Sequence, residues 1–105
     1  MAAFSRRSLP PMSQLCAFEA AARHQSFTAA AVELNLTQSA ISRQIRALED
    51  LLGFPLFVRD RQTVRLSKAG ASYAREIRTA LRLVSKATLG FRSNAEGGTL
   101  NLAIR

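Results

Sequence analysis

The stretch from Ser26 to Gly53 constrains the fold most, because two helix-periodic segments there are separated by only a short run of turn-forming residues. Phe27, Ala30, Ala31 and Leu34 recur at i, i+3, i+4 and i+7, which is one face of an α-helix, and Ser26 can cap its start. Asn35 tolerates the left-handed conformation that closes a helix, and Thr37 can accept an N–H from the first turn of the next one. That next helix is predicted from Gln38 to Leu52, with Ile41, Ile45, Leu48 and Leu52 inward and Gly53 as its stop. So tight a connection forces a sharp angle between the two helices. The outward face of the second carries Gln38, Ser39, Ser42, Arg43 and Arg46, while Glu49 and Asp50 come only at its far end.

The flanking segments complete a small, mainly α domain. Leu9-Pro10-Pro11 disfavours helix, so residues 1–11, with Arg6 and Arg7, read as a short basic arm. From Met12 to Gln25, Leu15, Phe18, Ala21 and Ala22 keep helical spacing, with Ser13 available as a cap. Leu56-Phe57-Val58-Arg59 and Thr63-Val64-Arg65-Leu66 alternate like two short strands around a turn at Asp60-Arg61, which gives a basic hairpin.

A long helix follows Ser67 and is predicted to reach Phe91 or Arg92, although Gly70 weakens its first turn. Within it Ala74, Ile77, Leu81, Val84, Thr88 and Phe91 are spaced 3, 4, 3, 4 and 3, a heptad-like seam with one polar member. The seam could pack on its own domain, lie on a membrane, or pair with a second copy. Its narrowness and its lack of Trp favour pairing, and thus a homodimer. Arg75, Arg78, Arg82 and Lys86 line another side of the helix, which reads as a solvated basic stripe. After Gly97-Gly98, Leu100 to Ile104 alternate like a strand with nothing to pair with, so residues 93–105 read as a hinge and the first strand of a further domain.

Composition narrows the partner. Fifteen basic residues stand against 7 acidic ones, a net charge of +8, and 13 of the basic residues are arginines. Guanidinium forks suit phosphates and base edges, so a polyanion is expected. At 48% hydrophobic residues the chain is too apolar for a disordered basic tail, yet 105 residues leave little room for a deep substrate cavity. Cys16 is the only cysteine and His24 the only histidine, which excludes a disulfide framework and a Cys/His zinc site. No metal or cofactor is expected, no catalytic constellation can be assembled, and no stretch is apolar enough to span a membrane.

The segment from Phe27 to Arg46 has the pattern of a helix-turn-helix whose second helix enters the major groove of double-stranded DNA. In that geometry Gln38 can bond adenine, Arg43 can bond guanine, and Thr37, Ser39 and Ser42 can reach phosphate or base edges. Arg59, Arg61 and Arg65 would lie over the neighbouring backbone or minor groove.

Phe18-Glu19-Ala20-Ala21-Ala22-Arg23-His24-Gln25-Ser26-Phe27-Thr28-Ala29-Ala30-Ala31, then Leu34, Thr37 through Ile45, Leu48-Glu49 and Leu52-Gly53, resemble the DNA-binding domain of LysR-type transcriptional regulators. The resemblance continues through Leu56-Phe57-Val58-Arg59 and Leu66-Ser67-Lys68-Ala69-Gly70 and covers nearly the whole chain. Leu9-Pro10-Pro11 and Arg23-His24 are similar to the subgroup that contains the glycine-cleavage activator and the β-lactamase regulator. The family implies a winged helix-turn-helix over residues 12–67 and a dimerising linker helix over 68–92. It also implies an effector-binding domain beyond them, which would take the small-molecule effector, and tetramers of a full-length protein. By the same resemblance Gln38, Ser39, Ser42 and Arg43 fall at base-contacting positions, Thr37 and Gln44 at phosphate-contacting ones, and Arg59 at the wing. Many relatives carry a second basic residue, separated from the wing arginine by two others, where this chain has Gln62, so the resemblance implies a minor-groove contact that either moves to the adjacent Arg61 or weakens.

The resulting expectation is a cytoplasmic, bacterial-type, sequence-specific regulator that binds a partly palindromic site as a dimer. Two rivals share its charge. One is a non-specific basic nucleic-acid-binding module, separated by competition between random and operator DNA. The other is a helix-mediated assembly protein, whose affinity for duplex DNA would be absent or independent of salt.

Overall fold

The capping chemistry sets the element order. A computed structural model describes residues 4–5, 8–61 and 63–96. Its elements are α1 (Met12–His24), α2 (Phe27–Leu34), α3 (Gln38–Leu52), β1 (Phe57–Asp60), β2 (Thr63–Leu66) and α4 (Lys68–Glu96). Ser26 caps α2 by accepting from the Ala29 N–H at 3.0 Å, and Thr37 caps α3 by accepting from the Ala40 N–H at 3.0 Å. Gln25, Asn35 and Gly53 close α1, α2 and α3 in left-handed conformation, at φ 49°, 58° and 82°. The strands form one antiparallel hairpin in the register Phe57↔Leu66, Val58↔Arg65, Arg59↔Val64, Asp60↔Thr63.

The core lies where α1, α2 and α3 meet under the hairpin. Phe18, Ile41, Ile45, Leu48 and Leu56 are its largest fully buried side chains, each contributing about 1.5–3 kcal/mol of apolar burial. Phe18 meets Phe57 edge-on with ring centroids 5.8 Å apart and Tyr73 of α4 at 5.5 Å, while Phe27 meets Phe57 at 5.2 Å. Buried alanines at 17, 20, 21, 30 and 31 let the helix backbones approach closely around this aromatic cluster.

As far as the hairpin, one cap and three boundaries differ from the sequence expectation, while α1 starts at Met12 as expected. The N-cap of α1 is Pro11, whose carbonyl takes the Gln14 and Leu15 N–H groups at 3.0 and 3.2 Å, so the helix begins upstream of Ser13 and needs no hydroxyl cap. It ends at His24, because Gln25 turns left-handed. Strand β1 begins at Phe57 rather than Leu56 and keeps Asp60 in the ladder, because the Leu56 N–H bonds Glu49 and its carbonyl bonds Ser67. The turn therefore starts at Arg61, at φ 58°.

Helix α4 passes the expected end at Arg92 and reaches Glu96, so residues 93–96 are helical. Nothing between Arg92 and Gly97 breaks a helix, and 29 residues give it a length of roughly 43 Å. The expected strand at Leu100–Ile104, together with Arg6, Arg7 and Gln62, lies outside the described residues.

Gly70 has a positive role that its low helix propensity hides. A Cβ there would stand 2.0 Å from the Leu56 carbonyl oxygen, so only glycine lets the first turn of α4 rest on the base of the hairpin. Ser67 completes that joint: its hydroxyl accepts from the Gly70 N–H at 3.0 Å, and its own N–H donates to the Leu56 carbonyl at 3.0 Å. Among the described residues no helix is long and apolar enough to cross a membrane.

Candidate nucleic-acid interface

Helix α3 is built from two opposed faces. Ile41, Ile45 and Leu48 are buried, which fixes the roll of the helix. Gln38, Ser39, Arg43 and Arg46 then stand exposed, and with the half-buried Ser42 they line one open, shallow concavity. These are the five residues that the sequence places on the outward face of the helix, without Gln44, and the lining includes no carboxylate.

Gln44 is placed differently from its neighbours. It is half-buried, and its Oε1 accepts from the Ser13 hydroxyl at 3.4 Å, which ties α3 to the start of α1. Thr28, which the sequence does not single out, donates its hydroxyl to Gln38 Oε1 at 3.2 Å. A second concavity, lined by Gln25, Ser26, Phe27, Thr28, Gln38, Thr63 and Val64, joins this corner of α3 to the hairpin.

The hairpin separates its three arginines. Because side chains alternate along a strand, Arg59 shares a face with Phe57, Val64 and Leu66, while Arg65 shares the other with Val58. Arg61 is exposed at the tip. Arg59 leans back on the body of the domain: its guanidinium carbon lies 5.5 Å from the Phe27 ring centroid, and Nη2 is 3.6 Å from Glu49 Oε1.

Glu49 is therefore more than the negative end of α3. Its side chain is only 10% exposed, and Oε2 accepts from the Leu56 and Phe57 N–H groups at 2.8 and 3.3 Å. One carboxylate thus fastens α3 to the root of β1 and to Arg59. No periodicity marks such a residue, since its partners are backbone groups brought near only by the fold.

A chain of charges locks the long helix to this body. Arg78 of α4 donates to Glu19 Oε2 at 3.2 Å, so one member of the expected solvated stripe is a tether. Glu19 also pairs with Arg23 at 2.9 Å, Arg23 pairs with Glu33 of α2 at 2.7 Å, and His24 Nε2 lies 2.6 Å from Glu33 Oε1. The bond from Arg23 holds the Glu19 carboxyl below its ordinary range despite some burial. Arg23 and then His24 bring Glu33 down to about 2, and the two carboxylates push Arg23 up. Burial, and then the nearby Glu19, raise the thiol of the half-buried Cys16. The i, i+4 spacing of Glu19 and Arg23 was legible in the sequence, and the links to Glu33 and Arg78 were not.

Along the seam of α4, Ala74 is buried and Ile77 and Leu81 are half-buried where α4 packs on α1. Val84, Thr88 and Phe91 are exposed, Val84 by 49% and Phe91 by 64%. Thr88 donates its hydroxyl to the Val84 carbonyl at 2.9 Å, which satisfies its one polar group within its own helix.

Two helices joined by a turn at Asn35 and Leu36 and by the Thr37 cap, a two-stranded wing beside them and a long trailing helix define a winged helix-turn-helix domain. The model of the bacterial regulatory helix-turn-helix proteins of the lysR family matches residues 12–71, and the chain belongs to that family. It is 41% identical over 98 residues to the glycine cleavage system transcriptional activator of Escherichia coli (strain K12), covering 93% of this chain and 32% of that protein. It is 37% identical over 98 residues to the carbapenem-hydrolyzing β-lactamase transcriptional activator of Enterobacter cloacae, covering 93% of this chain and 33% of that one. Both belong to the subgroup that the Pro-Pro and Arg-His signatures suggested. The chain thus spans about a third of the length of the curated relatives it matches.

Among solved structures, the CbnR_DBD–DNA complex superposes with a TM-score of 0.71 at 34% identity, covering 83% of this chain and 98% of that one.

Proposed function

We propose that this chain is the sequence-specific, double-stranded DNA-binding domain of a cytoplasmic bacterial transcriptional regulator, and that it acts as a homodimer without catalysis. The observation that carries this reading is the two-faced α3. Its buried Ile41, Ile45 and Leu48 turn Gln38, Ser39, Ser42, Arg43 and Arg46 outward together, in an element narrow enough for the major groove. The likeness to a domain solved on DNA supports it.

Arg43 and Gln38 read base edges in this scheme, while Thr37, Ser39 and Ser42 supply phosphate or base contacts and Arg46 adds positive charge. Arg61 projects to the backbone or minor groove from the wing tip. Arg59, held by Glu49 and Phe27, sets the angle of the wing, and Gln44 contributes through its bond to Ser13. The exposed run Val84, Thr88 and Phe91 continues from Ala74, Ile77 and Leu81 and is covered by α4 of a second copy, which presents two α3 helices to two half-sites. Any small-molecule effector binds outside the described residues.

The test is titration of the wild-type chain and Arg43→Ala against a duplex recovered by selection from random DNA, and against a shuffled duplex at the same salt. Arg43→Ala is expected to lose about 1–3 kcal/mol on the selected site and little on the shuffled one. Equal losses on both, or none, would refute base reading by this helix.

A further inference from the structure

Helix α4 is held to the body of the domain along a short base. Gly70 rests on the Leu56 carbonyl, the Tyr73 ring lies 5.5 Å from that of Phe18, and Ala74 is buried, all within the first two turns. From Gly70 to Ala74 that base spans roughly 6 Å, and Arg78, one turn further on, carries it to roughly 12 Å. Among the described residues Arg78 is also the last of α4 to make an ion pair with the body. Its Nε donates to Glu19 Oε2 at 3.2 Å, and Arg23 holds the same carboxylate from within α1, through Nε at 2.9 Å and Nη2 at 3.0 Å. Around the pair, Arg23, Leu81, Arg82 and Ser85 line an open concavity, which leaves α4 room to tilt once the pair is broken. The half-buried Ile77 and Leu81 add apolar contact, which has no preferred direction and resists tilting less.

We infer that the Glu19–Arg78 pair is a positioning device that fixes the half-site spacing the dimer accepts, an inference that rests on α4 pairing with a second copy and on α3 entering the major groove. Helix α1 packs on both α4 and α3, so α3 stands about two interhelix distances, roughly 16–20 Å, from the paired helices. For a tilt of about 10° along the duplex, each α3 moves by roughly 3 Å, and the two-fold symmetry of the pair adds the displacements to roughly 6 Å. The rise of one base pair is only about 3.4 Å. A dimer with the pair intact is therefore strained when the half-sites shift by one base pair, and a dimer without it adapts by tilting. The bases read within each half-site stay the same.

The experiment takes the two half-sites recovered from random DNA and measures binding to duplexes in which their separation is lengthened or shortened by one or two base pairs, at fixed salt. It compares wild type, Arg78→Ala, Glu19→Gln, the double variant of these two and Arg82→Ala, with helicity checked by circular dichroism. Wild type is expected to prefer one spacing. Arg78→Ala lowers that preference about 3- to 10-fold with unchanged base preferences, Glu19→Gln acts in the same direction, and the double variant loses no more than Arg78→Ala alone. Arg82→Ala removes an equal charge from the same helix and keeps the wild-type profile. The inference is overturned by a dimeric wild type indifferent to spacing, by an Arg78→Ala profile as sharp as the wild type's, by an Arg82→Ala profile flattened as much, or by additive losses in the double variant. If Arg78→Ala loses helicity, the Glu19→Gln profile decides in the same way. A wild-type chain that sediments as a monomer or selects a lone half-site would sink the α4-pairing reading instead, and one that selects no motif would sink the recognition-helix reading, results distinct from all of these.

Discussion

Glu49 shows how one side chain can hold a recognition surface together without facing the ligand. Two strand-root N–H groups and one arginine converge on its carboxylate, in a place where water reaches little of it. Replacing it by alanine leaves the Leu56 and Phe57 N–H groups without an acceptor, which costs about 1–3 kcal/mol. Urea denaturation is expected to show Glu49→Ala less stable by that amount, and Glu49→Gln less affected because an amide oxygen can still accept. Equal stability of Glu49→Ala and the wild type would mean that the wing is held by packing alone. The outward polar residues of α3 differ in this respect: among the described residues the hydrogen bonds they make to the rest of the domain are those of the half-buried Gln44 with Ser13 and of Gln38 with Thr28.

Among the elements, α2 and α3 were the most legible in the sequence, because periodicity and caps agree there. Ser26, Asn35, Thr37 and Gly53 act by local geometry, which neighbouring residues alone specify. What stayed hidden depends on distant chain. Leu56 looks like strand by composition, yet its backbone is claimed by Glu49 and Ser67 from either side. Arg78 looks like one more solvated cation, yet it meets a carboxylate 59 residues away. Gly70 looks like a flaw in a helix, yet it marks the close crossing of α4 over the wing root.

The expected consequence is that Gly70→Ala, favourable by helix propensity, lowers stability by at least about 1–3 kcal/mol, since the added methyl must displace a backbone carbonyl. Thermal melting that shows Gly70→Ala as stable as the wild type would contradict this joint.

At the scale of the molecule, a net charge of +8 supplies attraction to any polyanion, and only the arrangement of side chains can make it selective. The charged chain from Arg78 through Glu19 and Arg23 to Glu33 fixes α4 against α1 and α2. Once two α4 helices pair, the spacing of the two α3 helices is therefore set rather than free. Methylation interference on a selected duplex measures that arrangement directly, because guanine N7 lies in the major groove and adenine N3 in the minor. The account predicts two clusters of N7 methylation that block binding, on one face of the duplex and separated by about one helical turn or a multiple of it. Binding that tolerates N7 methylation throughout would place α3 outside the major groove and contradict the account at its centre.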